Sequence, residues 1–207
     1  MLTEAMILLE LDLFTWAVSF CVAMMAGLVK GMVGFALPMI FISGLSMVMP
    51  PEVALGALII PSFFANGIQA LRHGLATALK TVKQFRIFLI SGGVCLIVSA
   101  QFVLLLPPEV LFLLLGFPVT FFTFWQLIKI NVFKIERSYE MEILVGGFAG
   151  LIGGISGIWG PPTVMYLTAI ATAKSEQIRI QGVIYGLGAV ALIAAHLGSG
   201  VLHSQVL

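Results

Sequence analysis

Lys30 is the residue of this sequence whose position most strongly suggests chemistry. It separates two uncharged stretches, residues 13–29 and 31–51. An ionisable side chain between apolar segments of membrane length is costly, and such groups are functional by default. An ammonium group there can pair with an anion that crosses the membrane. The alternative is that Lys30 anchors the helix at the membrane surface, with its alkyl stem in lipid and its charge in water.

A glycine- and proline-rich motif surrounds Lys30 and occurs twice in the chain. Residues 26–38 align with residues 149–161 at a constant offset of 123, with six of thirteen positions identical. Because glycine adopts unusual backbone angles and proline lacks an N–H donor, each copy predicts a broken helical hairpin. We expect the breaks at 31–38 and 153–162. The residues expected to shape them are Pro38, Pro161 and Pro162.

The glycines of both motifs are candidates for substrate binding, since a backbone without side chains can bring its N–H groups close to an anion. The alternative is close packing between helices. The glycine candidates are Gly31, Gly34, Gly153, Gly154 and Gly157.

Two apolar stretches carry polar residues at helical spacing. Asn66 and Gln69 share one face of a predicted helix over 53–71, which Arg72 extends, and Gln181 and Tyr185 are one turn apart in 180–202. Polar side chains are costly against lipid, so these should face the protein interior. There they line a pathway or bond neighbouring helices. We include Asn66, Gln69 and Gln181 among the substrate-binding candidates.

Trp159 lies beside the second predicted break and either gates the site or packs against it. His73 and His196 are interpreted as structural. We expect no carboxylate deep in any membrane segment, so a proton-coupling Asp or Glu has no candidate.

Composition fixes the fold class. The 207 residues are 60% hydrophobic and 9% charged, with a mean hydropathy of +1.15, whereas ordinary globular domains are about 25% charged. This composition predicts an all-α, polytopic membrane protein. The net charge of +1 gives no support for nucleic-acid binding. The chain has no nucleophile–base motif and no metal-ligand spacing, so we predict that it is not an enzyme and uses no cofactor or metal.

Uncharged stretches predict seven or eight membrane segments in a single domain over 1–207. Repeat one covers 11–71 and is followed by helices at 87–106 and 110–128. Repeat two covers 143–202 and is expected to lack the final helix or helices. Placing loop 72–86 in the cytoplasm brings all ten Lys and Arg residues to that side, as the positive-inside rule requires.

This threading predicts a multi-pass protein with its N-terminus outside the cell and loops 72–86 and 129–142 in the cytoplasm. The two hairpins then have opposite orientations. Inverted repeats with broken helices are typical of secondary transporters, whose substrate sites lie near the membrane midplane.

The motifs at 27–38 and 150–162, together with Arg-His-Gly at 72–74 and Pro-Pro-Glu-Val-Leu at 107–111, resemble those of the TauE/SafE sulfite-exporter-like permeases. The resemblance covers about residues 20–200. It implies a cell-membrane permease for small sulfur-containing anions such as sulfite or sulfonates. The sequence departs from the family pattern at Lys30 and at 35–37, where many members are richer in glycine.

The sequence therefore predicts a permease for a small anion, a sulfur oxyanion or an organosulfonate, with its site between the broken hairpins. Its expected partners are the anionic substrate, the lipid bilayer and, where it oligomerises, further copies of itself. The alternative is a non-transporting scaffold or an incomplete subunit of an oligomeric complex. A permease should contain a polar cavity that reaches Lys30 or Asn66, whereas a scaffold should pack its glycine motifs without one.

Overall fold

The computed structural model describes residues 12–127 and 134–199, and all regular secondary structure within them is helical. The predicted all-α class is therefore confirmed. The helices are α1 (Leu13–Val33), α2 (Leu37–Leu45), α3 (Pro51–Leu71), α4 (Leu75–Gln84), α5 (Arg86–Ala100), α6 (Pro108–Leu127), α7 (Tyr139–Ser156), α8 (Gly160–Ala169) and α9 (Lys174–Ser199), with a 3₁₀ turn at Val103–Leu105.

Several helices expose large apolar side chains that water would not tolerate in such density. On α1, Leu13, Phe20 and Leu28 are each at least two-thirds exposed, which indicates a lipid-facing surface. Among the described helices, three are long and apolar enough to cross a membrane: Leu13–Val33, Val53–Leu71 and Lys174–Ala195. A fourth span results if α4 and α5, bent by 80°, count as one. The count of seven or eight segments stays a prediction.

Glycine-mediated contact holds α5 against α7. Gly146, Gly150 and Gly154 follow one another at intervals of four residues along α7 and face the α5 backbone. A methyl group on Gly150 would overlap the Gly92 carbonyl, and one on Gly154 would overlap Leu96 and Ser99. This is the small-xxx-small packing of membrane helices. α9 in turn packs against α3 and α5, which completes the core beside the two helix breaks.

The two helix breaks have the same local construction. α1 ends at Gly34 (φ 87°) and α7 ends at Gly157 (φ 67°), both in the left-handed conformation that favours glycine. In each case the glycine N–H donates to the carbonyl four residues earlier, at 2.8 Å. Pro38 and Pro161 are both the second residue of the following helix. The sequence repeat thus has a counterpart in local backbone structure, while the inverted orientation stays a prediction.

Both breaks are shorter than the sequence predicted. Only residues 34–36 and 157–159 lie between the flanking helices, whereas the predicted breaks were 31–38 and 153–162. Gly31, Gly153 and Gly154 remain helical, because a helical glycine costs only about 1 kcal/mol. The prolines belong to the first turns of α2 and α8, where no N–H donor is needed.

Two predicted loops contain helix. The predicted loop 72–86 includes α4, whose Lys80 and Lys83 are exposed while Ala78 and Thr81 are buried, so the segment is an amphipathic helix. The predicted loop 129–142 ends earlier than expected, since α7 begins at Tyr139. Residues 129–133 of that loop lie outside the described part. The predicted helix 87–106 is shorter, ending at Ala100 before the 3₁₀ turn.

Glu142, which the sequence places in the predicted loop 129–142, is a buried carboxylate at the beginning of α7. It lies in the first turn of α7, is 2% exposed, and accepts a 2.7 Å hydrogen bond from Arg137 Nε. Its second oxygen accepts from the Phe88 N–H at 3.4 Å, at the beginning of α5. Because the sequence places Glu142 among other charges, its burial is visible only once α7 packs on α5.

Candidate functional site

The Lys30 ammonium is buried among neutral oxygen atoms. Lys30 lies in the last turn of α1 and is 7% exposed. Its Nζ donates to Asn66 Oδ1 at 2.5 Å, to Gln69 Oε1 at 2.9 Å, and to the Gly34 carbonyl at 3.5 Å. These bonds match the three donors of an ammonium. Among the described residues no carboxylate pairs with it, so the charge has no counter-ion within that part of the chain.

The two amide side chains are fixed so that their oxygens face Lys30. Asn66 Nδ2 donates to Ser62 Oγ at 2.9 Å, and Gln69 Nε2 donates to the Ile178 carbonyl of α9 at 2.8 Å. With the nitrogen of each amide occupied, its oxygen is left for the ammonium. Ser62 was not predicted as part of the site. Its position one turn before Asn66, on the same face of α3, is the signal that could have identified it.

Two aromatic side chains complete the surroundings of the ammonium. The Tyr185 ring centroid is 6.0 Å from Lys30 Nζ, at the outer limit of a cation–π contact. The Tyr185 hydroxyl donates to the Gly160 carbonyl at 3.1 Å, which ties α9 to the second break. Trp159 is buried within that break, with its ring 6.5 Å from that of Tyr185.

A small cavity separates the two breaks. Its volume is about 10 Å³, which is room for a single water molecule. Both breaks line it, through Phe35 and Ala36 on one side and Trp159 on the other, and Lys30 contributes from α1. α2 and α8 begin at this cavity, so the positive ends of two helix dipoles are directed toward it. The arrangement suits an anion electrostatically.

Gln181 extends the polar cluster on α9. Its side chain is 2% exposed, and its Oε1 has no hydrogen-bond partner among the residues that the structure describes. It lies against Gly34, where an added methyl group would be 3.0 Å from Gln181 Oε1 and 3.4 Å from Gln69 Nε2. Gly34 thus needs to be glycine for its backbone angle and for the space that both amides occupy.

A family model described as Sulfite exporter TauE/SafE matches residues 19–207. The chain belongs to the TauE/SafE family. Neither the search of curated proteins nor the search of solved structures found a match. Family membership implies a multi-pass membrane transporter of sulfur-related anions, and the predicted family is confirmed. TauE/SafE is a transporter family and not an enzyme family, in agreement with the prediction that the chain is not an enzyme.

In this TauE/SafE protein, the structure brings six of the ten predicted binding residues together. One cluster contains Lys30, Gly34, Asn66, Gln69, Gln181 and, across the cavity, Trp159. Pro38 and Pro161 line the same cavity, and Pro162 is buried in α8. These residues come from the two breaks and from α1, α2, α3, α8 and α9.

The remaining predicted glycines lie elsewhere. Gly31 is exposed with no heavy atom near the position of a Cβ, and Gly154 packs on α5. Gly157 contacts Leu55 and Leu58, and Gly153 lies beneath the Trp159 ring. Packing therefore accounts for the three buried glycines of this group.

Two further polar residues considered in the sequence, Arg72 and His73, do not join the Lys30 cluster in the described part. Arg72 and His73 are exposed beyond the end of α3, so the polar stripe of α3 runs from Ser62 to Gln69. The side chain of His196 lies outside the described residues. No group of three or more His, Cys, Asp or Glu residues in the described part could hold a metal ion.

The two repeats fill their breaks in complementary ways. Lys30 corresponds in the sequence repeat to Gly153, and Ala36 corresponds to Trp159. In the first copy, the long side chain projects from the helix before the break. In the second copy, the Trp159 ring covers the glycine of that helix. One repeat thus supplies the positive charge and the other supplies the apolar wall.

Proposed function

We propose that this TauE/SafE protein is a permease whose Lys30 ammonium binds a small sulfur oxyanion or organosulfonate between the two helix breaks. The observation that carries the proposal is a buried ammonium surrounded by neutral oxygens. None of the carboxylates in the described part of the chain pairs with it. A structural lysine in such a place would be expected to have a counter-ion, because a buried charge is costly unless it is paired.

Charge–charge attraction favours the binding of an anion beside the Lys30 ammonium. Two unit charges 4 Å apart attract by about 4 kcal/mol at the effective dielectric constant of 20 that suits partly buried sites. The Asn66 and Gln69 oxygens keep Lys30 hydrogen-bonded while no substrate is present. An arriving anion would replace one or both of these acceptors, and the freed amide could turn its N–H₂ group toward the substrate oxygens.

Substrate binding requires the two breaks to move apart. A cavity of about 10 Å³ is too small for a sulfur oxyanion, so the described conformation corresponds to a closed stage of transport. Trp159 and Ala36, at equivalent positions of the two breaks, form opposite walls of the cavity. We propose that displacement of the Trp159 ring opens the site, in a cycle of alternating access.

A single ammonium group favours singly charged substrates. Lys30 neutralises one negative charge, and a dianion such as sulfate would carry an uncompensated charge into the membrane interior. Sulfonates are monoanions, and sulfite becomes one when it takes up a proton. The proposal therefore predicts transport of hydrogensulfite and small sulfonates in preference to sulfate.

The test is flux of labelled sulfite, thiosulfate, sulfate and a small sulfonate in proteoliposomes, with protein-free liposomes as the control. We expect sulfite or sulfonate flux to exceed sulfate flux by about tenfold, a difference of ~1.4 kcal/mol. Faster flux of sulfate would overturn the monoanion argument. Absence of flux for every anion, with protein shown to be folded and inserted, would favour the non-transporting scaffold.

A further inference from the structure

An apolar groove lies where α5, α7 and α9 meet, apart from the hydrogen-bonded cluster around Lys30. Its volume is about 350 Å³, within the range of small-molecule sites. Its walls include Leu89, Gly93 and Leu96 of α5 and Leu187 of α9. Within the described part of the chain, Arg86 is the one charged residue that lines it. Ile90 and Leu187 on its walls are exposed, so a bilayer would place hydrocarbon against the groove.

The groove has the depth of one lipid leaflet. It follows α5 from Arg86, the first residue of that helix, to Leu96. Ten residues of helix rise about 15 Å, which is half of a hydrocarbon core of ~30 Å. The charged residue stands at one end of this path, and the glycines that open the groove lie further along it.

Arg86 is available for a phosphate group. Its side chain is exposed, and within the described residues it forms no ion pair. Lys83, at the end of α4, adds a second exposed cation nearby in sequence. A guanidinium binds phosphate oxygens through two parallel hydrogen bonds. A cation beside the opening of an apolar groove matches the charge distribution of an anionic phospholipid.

We propose that this groove binds one acyl chain of an anionic phospholipid, with the lipid phosphate on Arg86. Water would not fill a groove with these walls, since apolar cavities remain dry. A second copy of the chain is the alternative occupant, but the exposed Arg86 beside the groove favours an anionic lipid. Trp159 lines both this groove and the Lys30 cavity, so the bound acyl chain lies against the wall of the proposed transport site.

The experiment is photo-cross-linking in liposomes that contain phosphatidylglycerol with a photoreactive acyl chain. The comparison lipid is phosphatidylcholine with the same chain. We expect phosphatidylglycerol to label peptides of α5 and α9 that line the groove. Gly93→Leu should reduce this labelling by about tenfold, because no heavy atom lies within 4 Å of a Cβ at Gly93 and the new side chain enters the groove. Gly27 of α1 also has no heavy atom within 4 Å of a Cβ, and it is exposed. The Gly27→Leu variant should therefore be labelled like wild type.

Arg86→Gln tests the headgroup contact independently of Gly93, and it remains informative if Gly93→Leu does not fold. It should abolish the preference for phosphatidylglycerol over phosphatidylcholine. Lys80→Gln, which removes an exposed charge outside the groove, should retain it.

Three outcomes would overturn the proposal. The first is groove labelling that Gly93→Leu leaves unchanged, and the second is equal labelling by both lipids in wild type. The third is cross-linking of the groove to a second protein chain in place of lipid. None of these readouts depends on anion transport.

Discussion

At the residue scale, the candidate site is a buried ammonium whose hydrogen-bond partners are neutral oxygens of α3 and of the first helix break. Lys30 is 36 residues from Asn66 and 39 residues from Gln69 in the chain, yet the three side chains form one hydrogen-bonded cluster. The sequence could not rank the glycines, since a glycine that packs and a glycine that lines a site have the same side chain. Only their neighbours distinguish Gly34 beside two amides from Gly154 against α5.

Gly34→Ala should destabilise the protein, whereas Gly31→Ala should not. Alanine at Gly34 would adopt a left-handed conformation (φ 87°) and approach Gln181, at a cost of about 1–2 kcal/mol from the backbone alone. Gly31 is helical, exposed and open, so alanine there is neutral or stabilising. Thermal unfolding in detergent measures both. An equal loss of stability in the two variants would contradict the assigned role of Gly34.

At the element scale, helix identity was predicted better than helix boundaries. Uncharged stretches located α1, α3, α6 and α9, because a membrane helix must be long and apolar. α4 was predicted as a loop because its charges dominate the segment, although they occupy one face of a helix. The breaks were predicted too long because glycines and prolines were counted as breaking residues where helix ends tolerate them.

The α5–α7 contact offers a matched pair of substitutions on one helix. Gly150→Ala should destabilise the protein by about 1–3 kcal/mol, as overpacking does, since its methyl group would overlap the Gly92 backbone. Gly147→Ala should be tolerated, because the nearest atom to a Cβ there is Cys95 Sγ at 3.4 Å. The fraction of protein that stays monodisperse after heating reports the difference. Similar behaviour of both variants would contradict the close α5–α7 packing.

At the scale of the whole molecule, family membership and lipid-exposed helices establish a multi-pass membrane transporter. The membrane orientation is still a prediction from charge. The local match between the breaks at Gly34 and Gly157 agrees with a repeat, but a backbone motif carries no information on which side of the bilayer it faces.

A cysteine at position 80 tests the orientation. In a Lys80→Cys variant with Cys21 and Cys95 replaced by serine, a membrane-impermeant maleimide should label inverted vesicles and not intact cells. The reason is that α4 lies in the segment assigned to the cytoplasm by the positive-inside rule. Labelling of intact cells would reverse the topology, while a cysteine in place of Asp12, the exposed N-cap residue of α1, should give the opposite pattern.

The proposed transport mechanism depends most directly on the charge of Lys30. The measurement that tests it is anion flux through the Lys30→Met variant in proteoliposomes. Methionine keeps an unbranched, apolar side chain in the buried position and removes only the ammonium. We expect flux of the transported anion to fall by about tenfold or more, while Lys80→Met, at an exposed position of α4, transports like wild type. Unchanged flux in folded Lys30→Met protein would contradict the assignment and leave Lys30 as a structural anchor.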